Sequence, residues 1–344
     1  MNTKIIKTDG ISIDKNELNI AAQILRTGGL VVFPTETVYG LGGDATNANA
    51  AEKIYAAKGR PSDNPLIIHI SNPKDAEKYA VTNQTYYDLA KAFMPGPITV
   101  ILPKKNIIPF SVTGGLDSVA VRCPSHPIAS KLIEAAGIPV AAPSANLSGK
   151  PSPTCARHVI EDLNGRVDII IDGGNSEIGL ESTIVKIEGD SLTLLRPGAI
   201  TADALKCVCS TVKIAPAVLE QLKENERPLS PGMKYKHYAP SVPFVLIDGE
   251  RENVIEFLKQ EQINKKCAIL CYHEDIDALE NKNIIDIGAA NDLEKQAHIL
   301  FTALRDADNF DVDIIYAHLP PRDGIGLALY NRMIRAAAHT VIKV

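Results

Sequence analysis

Apolar residues recur at three- to four-residue intervals through ELNIAAQILRTGG, the spacing that gives a helix one buried face, and the glycine pair behind it supplies a stop. The unbroken run LVVF that follows predicts a short strand buried on both faces. The same exchange of periods continues with a helix at NANAAEKIYAAKG, a strand at PLIIHI, helices over 75–79 and 86–93, and strands at ITVILP and SVAVRCP. Next come a helix at PIASKLIEAAG, a strand at PVAAPS, a helix over 156–163 and a strand at RVDIIID. STIVKIEGDSLTLLRPG reads as two alternating runs around a turn at 188–190, a hairpin. Close consecutive strands beside helical crossovers imply an α/β domain with a twisted mixed sheet rather than a purely parallel one.

From about 216 to 240 the pattern weakens into NERPLSPGMKYKHYAPSVP, rich in proline and local positive charge, as a linker is. Beyond it, FVLID, CAILCY, NIIDIG and VDIIYAHLP are four short apolar runs interleaved with amphipathic helices, which predicts a small open α/β domain of Rossmann-like type. The expected organisation is a first domain over 1–212, a linker over 213–241 and a second domain over 242–344. The second domain has no G-x-G-x-x-G loop and so gives no sign of dinucleotide binding.

A length of 344 residues suits two domains, and 45% hydrophobic with 22% charged residues is the composition of a chain that folds. A net charge of −5 argues against a protein whose work is gripping nucleic acid, because that binding draws on Lys and Arg neutralising phosphates. No run approaches the roughly 20 apolar residues of a membrane span. The start, MNTKIIKTDG, turns polar where a signal peptide would be apolar, so the expected location is the cytoplasm. Six scattered cysteines without paired C-x-x-C knuckles read as reduced core thiols.

Several segments of the first domain end strands with polar residues that packing would not choose, where α/β proteins form ligand sites. They supply Arg60, Arg122 and Arg196, the hydroxyls of Thr35, Ser144 and Ser182, and the amides of Asn64 and Asn146. Three guanidinium groups among hydroxyl and amide donors suit a phosphate or carboxylate ligand. Plainer readings stand beside this one. Lys58 and Arg60 favour a helix C-terminus in any case, Arg122 could serve a structural ion pair, Ser144 and Asn146 could cap a turn, and His69 could be a satisfied core histidine. There is no Walker loop, G-x-S-x-G or H-E-x-x-H.

The segments PTETVYGLG (34–42), KGRP (58–61), NPL (64–66), VAVRCP (119–124), APSAN (142–146) followed by SG, ESTI (181–184) and RPG (196–198) resemble, in order and spacing, the Sua5/YrdC/YwlC family of threonylcarbamoyl-AMP synthases. SPGMKYKHYAP (230–240) is similar to the linker of the family's long form, so the resemblance covers essentially the whole chain. It implies a YrdC-like catalytic domain, a Sua5-type second domain, and a nucleotidyltransferase that joins L-threonine, bicarbonate and ATP into threonylcarbamoyl-AMP with release of pyrophosphate. Magnesium would accompany ATP with no protein ligand assigned, and the product would pass to the tRNA threonylcarbamoyl transferase machinery.

The resemblance also implies roles. Thr35, His69, Ser118, Arg122, Ala142 and Ser182 fall at L-threonine positions, with Ser118 where the family often has threonine. Lys58, Arg60, Asn64, Ser144, Asn146, Ser152, Arg196, His237 and Tyr238 fall at ATP positions. Lys58, Arg60 and Arg196 would carry transition-state charge, with no covalent protein intermediate. Bicarbonate, the substrate itself and His69 stay open as the base. The linker, with Lys234, Lys236, His237 and Tyr238, is expected to act as a flap over the triphosphate. Two rivals are a non-catalytic RNA-binding protein of the same fold, disfavoured by the acidic balance, and a carbamoyl-transfer domain of hydrogenase maturation, which normally carries zinc-knuckle cysteines that this chain lacks.

Overall fold

The computed structural model describes residues 2–220, 237–279 and 282–344. The chain divides into two compact units, one of Met1–Ser148, Ser152–Glu177 and Glu181–Lys234, the other of Gly149–Pro151, Ile178–Leu180 and Tyr235–Val344.

In chain order the first unit holds β1 (Lys4–Lys7), α1 (Lys15–Arg26), β2 (Val31–Phe33), β3 (Gly40–Asp44), α2 (Ala48–Lys58), β4 (Ile67–His69), α3 (Ala76–Tyr79) and α4 (Gln84–Phe93). It continues with β5 (Ile98–Pro103), β6 (Ser118–Arg122), α5 (Pro127–Ala136), β7 (Val140–Ala141), α6 (Ala156–Leu163) and β8 (Ile169–Asp172). The hairpin β9 (Thr183–Glu188) and β10 (Ser191–Arg196), α7 (Ala202–Lys206) and β11 (Val212–Ile214) complete it. Among the described residues its strands form one sheet in the order β1-β8-β2-β3-β7-β4-β6-β5-β9-β10-β11. Parallel pairs such as β4 with β6 and β5 with β9 are interspersed with antiparallel pairs such as β5 with β6 and β9 with β10. The sheet is therefore mixed, as the close strand spacing implies.

Local sequence sets the helix ends that matter later. Asn47 caps α2 by accepting from the Asn49 N–H, and Gly59 closes it in the left-handed region at φ 61°, the turn that leaves Lys58 on the helix and starts Arg60 on the following loop. α1 and α5 bury Ala21, Ala22, Leu25, Ile128, Ala129 and Leu132 in one core with Val31, Phe33, Ile169 and Ile171 of the sheet. Strand β3, sequence GLGGD, escapes the hydrophobic pattern because glycine carries no side chain to pattern. Its Gly42 is required by packing: a Cβ there would lie 2.8 Å from both Phe33 and Val140 side-chain atoms.

The second unit holds β12 (Phe244–Asp248), α8 (Arg251–Asn264), β13 (Cys267–Cys271), β14 (Ile284–Asp286), α9 (Leu293–Ala307), β15 (Ile314–His318), α10 (Gly326–Ala336) and β16 (Val341–Lys343). Its sheet runs β14-β13-β15-β12-β16 with every neighbouring pair parallel, an open α/β arrangement. A fifth strand, β16, joins the four that the apolar runs predict; it is three residues long and follows directly on helical sequence. All six cysteines are free thiols. No described helix is long and apolar enough to cross a membrane.

Candidate active site at the edge of the mixed sheet

Five neighbouring strands bring polar groups to one edge of the first unit's sheet. His69 and Arg122 end the parallel strands β4 and β6 and are register partners. Thr99, near the start of antiparallel β5, is paired with Arg122 from the other side. Directly opposite residues on paired strands share a face, so these three side chains form a row. Ser182 precedes β9 and Arg196 ends β10, which extends the row by two strands.

Arg122 is 4% exposed and its Nη2 carries three contacts: Glu36 Oε1 at 2.7 Å, Thr37 Oγ1 at 2.8 Å and Thr35 Oγ1 at 3.5 Å. The other Glu36 oxygen accepts from the Ser125 N–H at 3.2 Å. Thr35 is itself fixed, donating to the Val38 carbonyl at 2.6 Å. The arginine is thus held rigidly by one corner. Its Nε is buried and has no hydrogen-bond partner among the described residues. Such an orphaned charged donor carries a cost that a bound anion would remove.

His69 is stripped of solvent, and this burial, reinforced by the positive charge of Arg122, lowers its pKa to about 3. It is neutral throughout the physiological range. Its Nδ1 lies 3.2 Å from the Ile67 carbonyl, and Phe33 meets the ring edge-on at 6.1 Å between centroids.

Further along the row, the Arg196 Nε donates to the Ser182 carbonyl at 3.0 Å and its Nη2 to the Ser182 hydroxyl at 3.1 Å, while the Thr99 hydroxyl lies 2.8 Å from Ser182 Oγ. The RPG segment needs its glycine: a Cβ on Gly198 would stand 2.6 Å from the Thr183 nitrogen and 2.8 Å from the Glu181 carbonyl. Ser152 donates to Glu181 Oε1 at 2.6 Å.

A second group gathers around the end of α2. The Lys58 ammonium donates to the carbonyls of Ser144 and Asn146 and, at 3.3 Å, to Asn146 Oδ1, and Ser144 Oγ donates to the same oxygen at 2.6 Å. Lys58 therefore braces the APSAN loop. Arg60 Nη2 donates to the carbonyls of Asn64 and Pro65 at 3.2 and 3.1 Å, and the Tyr55 hydroxyl bridges the carbonyls of Asn64 and Ser111. Asn64 Oδ1 is buried without a hydrogen-bond partner among the described residues. Ala142 contributes backbone, donating to the Ile67 carbonyl at 2.9 Å.

Ser118 does not join the Arg122 group. It begins β6 while Arg122 ends it, about 13 Å away at roughly 3.3 Å per strand residue. The register Ile67 to Ala120, carried back two residues, sets Ser118 level with Pro65 and so beside the Arg60–Asn64 loop. Lys234 and Lys236, with most of the expected flap, lie outside the described residues. Tyr238 belongs to the second unit, where it is 5% exposed, stacks on Phe301 at 5.1 Å and has the Arg332 guanidinium 5.9 Å from its ring; the His237 ring lies 5.6 Å from it.

Sequence reasoning did not single out Glu36, Thr37, Thr99 or Glu181. Glu36 and Thr37 lie inside PTETVYGLG and Glu181 inside ESTI, so their motifs could have flagged them. Thr99, inside the apolar run ITVILP, gave no signal. Among the described residues no three His, Cys, Asp or Glu side chains converge as a metal site.

A mixed-sheet α/β unit with buried arginines and hydroxyls in a row across the ends of neighbouring strands defines an anion-handling enzyme site. The chain belongs to the Sua5/YciO/YrdC family: that family's model, described as telomere recombination, matches residues 23–198, and the model for the C-terminal domain of threonylcarbamoyl-AMP synthase matches 200–338. It is 43% identical to a threonylcarbamoyl-AMP synthase of Bacillus subtilis, over 98% of this chain and 97% of that one. To the enzyme of the same name from Pyrococcus abyssi it is 44% identical, over 96% and 97%. The structure of P. abyssi Sua5 complexed with L-threonine matches with a TM-score of 0.91 at 42% identity over the full length of both chains. A variant of that protein with adjacent histidine and tyrosine replaced by alanine matches with a TM-score of 0.92 at 41% identity, over 99% and 98%.

Proposed function

We propose that this chain is an L-threonylcarbamoyladenylate synthase, a nucleotidyltransferase that condenses L-threonine, bicarbonate and ATP. The observation that carries the reading is the buried, one-cornered Arg122: its orphaned Nε suits a small carboxylate, and a full-length relative has been solved with L-threonine bound. In the steps proposed, the threonine amine forms a C–N bond to the carbon of bicarbonate with loss of water, giving a carbamate; an oxygen of that carbamate then attacks the α-phosphorus of ATP and the bond to the β-phosphate oxygen breaks, releasing pyrophosphate. Negative charge spreads over phosphate oxygens, so positioned cations serve better than a nucleophile. Arg196 and Arg60 supply that charge, and Lys58 holds the Ser144–Asn146 loop against the nucleotide.

His69 is a poor base, since a pKa of about 3 gives little driving force for taking a proton from an ammonium group. The proton of the threonine ammonium therefore leaves by way of bicarbonate or solvent. Glu36 and Glu181 are both engaged in hydrogen bonds, so magnesium would be carried by the phosphate oxygens of ATP. The product is handed to the tRNA threonylcarbamoyl transferase machinery in the cytoplasm, without stable binding of nucleic acid by this chain.

The test is an assay of pyrophosphate and adenylate with ATP, magnesium, bicarbonate and threonine, each omitted in turn. Formation of both products should require all the substrates. Product that forms equally well without threonine overturns the proposal.

A further inference from the structure

We infer that Thr99 is a positioning residue: its buried hydroxyl fixes Ser182 as a hydrogen-bond donor toward an anionic oxygen of the amino-acid half of the reactant. The inference rests on the reaction proposed above. It follows from counting donors and acceptors.

Thr99 and Ser182 both have no exposed surface, and their hydroxyl oxygens are 2.8 Å apart. A hydroxyl has one proton and two lone pairs. One Ser182 lone pair is taken by the Arg196 Nη2 proton at 3.1 Å. Thr99 has no hydrogen-bond partner other than Ser182 for its side chain among the described residues.

Two orientations of the shared proton are then open, and each leaves one proton over. If Ser182 donates to Thr99, the spare proton belongs to Thr99, inside strand β5, where its hydroxyl has no guanidinium in hydrogen-bond contact among the described residues and an unpaired buried donor costs about 1–3 kcal/mol. If Thr99 donates to Ser182, the spare proton belongs to the atom that touches Arg196, where positive charge draws an anionic oxygen. The second arrangement is favoured because its spare proton sits on the hydroxyl already in contact with the Arg196 guanidinium. It also fills both lone pairs of Ser182, so that Ser182 can donate to a carboxylate or carbamate oxygen but cannot accept from an ammonium or hydroxyl group. The register of β5 against β6, Thr99 facing Arg122, keeps this donor in the same row as the carboxylate anchor.

The test is steady-state kinetics on the full chain. Thr99→Val, nearly equal in shape but without the hydroxyl, should lower kcat/KM for threonine about 5- to 30-fold and leave KM for ATP within about twofold, while Thr99→Ser restores activity to within about twofold of the parent. Placed on Ser182→Ala, Thr99→Val should add less than about twofold, because the partner through which it acts is gone. If the valine variant fails to fold, Thr99→Ala should show the same loss and the same absence of further effect on Ser182→Ala. A Thr99→Val enzyme within twofold of the parent, or a loss that multiplies in full on Ser182→Ala, overturns the inference. Failure of the underlying reaction would instead appear in the unsubstituted chain, as adenylate formation that does not depend on threonine.

Discussion

Both units bury ionic clusters beside the carboxyl ends of parallel strands, and they use them differently. In the second unit Asp275 is fully buried after β13; Arg251 Nε donates to its Oδ1 at 2.6 Å, and His318 Nε2, from the end of β15, stands 3.2 Å from its Oδ2. The Tyr272 ring stacks on His318 at 4.5 Å. Arg251 thus takes one carboxylate oxygen, while Asp275 Oδ2 and His318 Nε2, though close, have no hydrogen-bond partner among the described residues. In the first unit Glu36 meets only one corner of Arg122 and leaves the Nε without a partner among the described residues. Leftover bonding capacity alone does not mark an anion site; its sign does, being a positively charged donor in the first unit and a carboxylate oxygen in the second.

Removal of Arg122 should have the largest effect. Arg122→Met leaves Glu36 charged, buried and uncompensated, which should cost about 3–5 kcal/mol in urea unfolding; adding Glu36→Gln should recover most of that stability and none of the threonine-dependent activity. Recovery of activity with stability would make the pair a structural brace.

Next in size is a contrast between the two clusters. If Arg196 gives phosphate about 2–3 kcal/mol in the transition state, Arg196→Ala should lower kcat/KM roughly 30- to 150-fold in a folded protein. Asp275→Asn should destabilise the second unit while leaving adenylate formation within about threefold. Losses of similar size at both positions would mean that the two clusters do not differ in function.

The smallest effect concerns pH. His69 has a folded pKa near 3 against an ordinary 6.5, so between those values the unfolded chain binds the extra proton. The stability it confers is complete above about pH 6.5 and is lost as pH falls, at up to about 1.4 kcal/mol per unit. Unfolding midpoints at pH 7.5 and 5.5 should show a smaller difference in His69→Asn than in the parent. An unchanged difference would mean that His69 titrates normally.

Much of the fold was legible because its elements carry their own periodicity: α1, α5 and the β9–β10 hairpin all lie where the apolar spacing predicts them. β3 was not legible, since three of the five residues of GLGGD are glycines and leave too few side chains to alternate, and it is made a strand by antiparallel pairing with β2 and β7. Ser118 shows the corresponding limit for the site. The motif places it near Arg122 in sequence, yet a strand spaces them by its whole length.

Residue types and motif order by themselves determined that an α/β protein carries arginines, hydroxyls and amides at its strand ends, because helix and strand periods, glycine turns and chain spacing are local properties. Which of those groups spend their hydrogen bonds on the protein and which keep them for a ligand was decided only by tertiary structure. Lys58 and Ser144 are tied into one loop, Glu36 takes one corner of Arg122, and Thr99, an anonymous member of an apolar run, reaches Ser182 across 83 residues of sequence. Such pairings depend on strand order and register, and no local pattern encodes them.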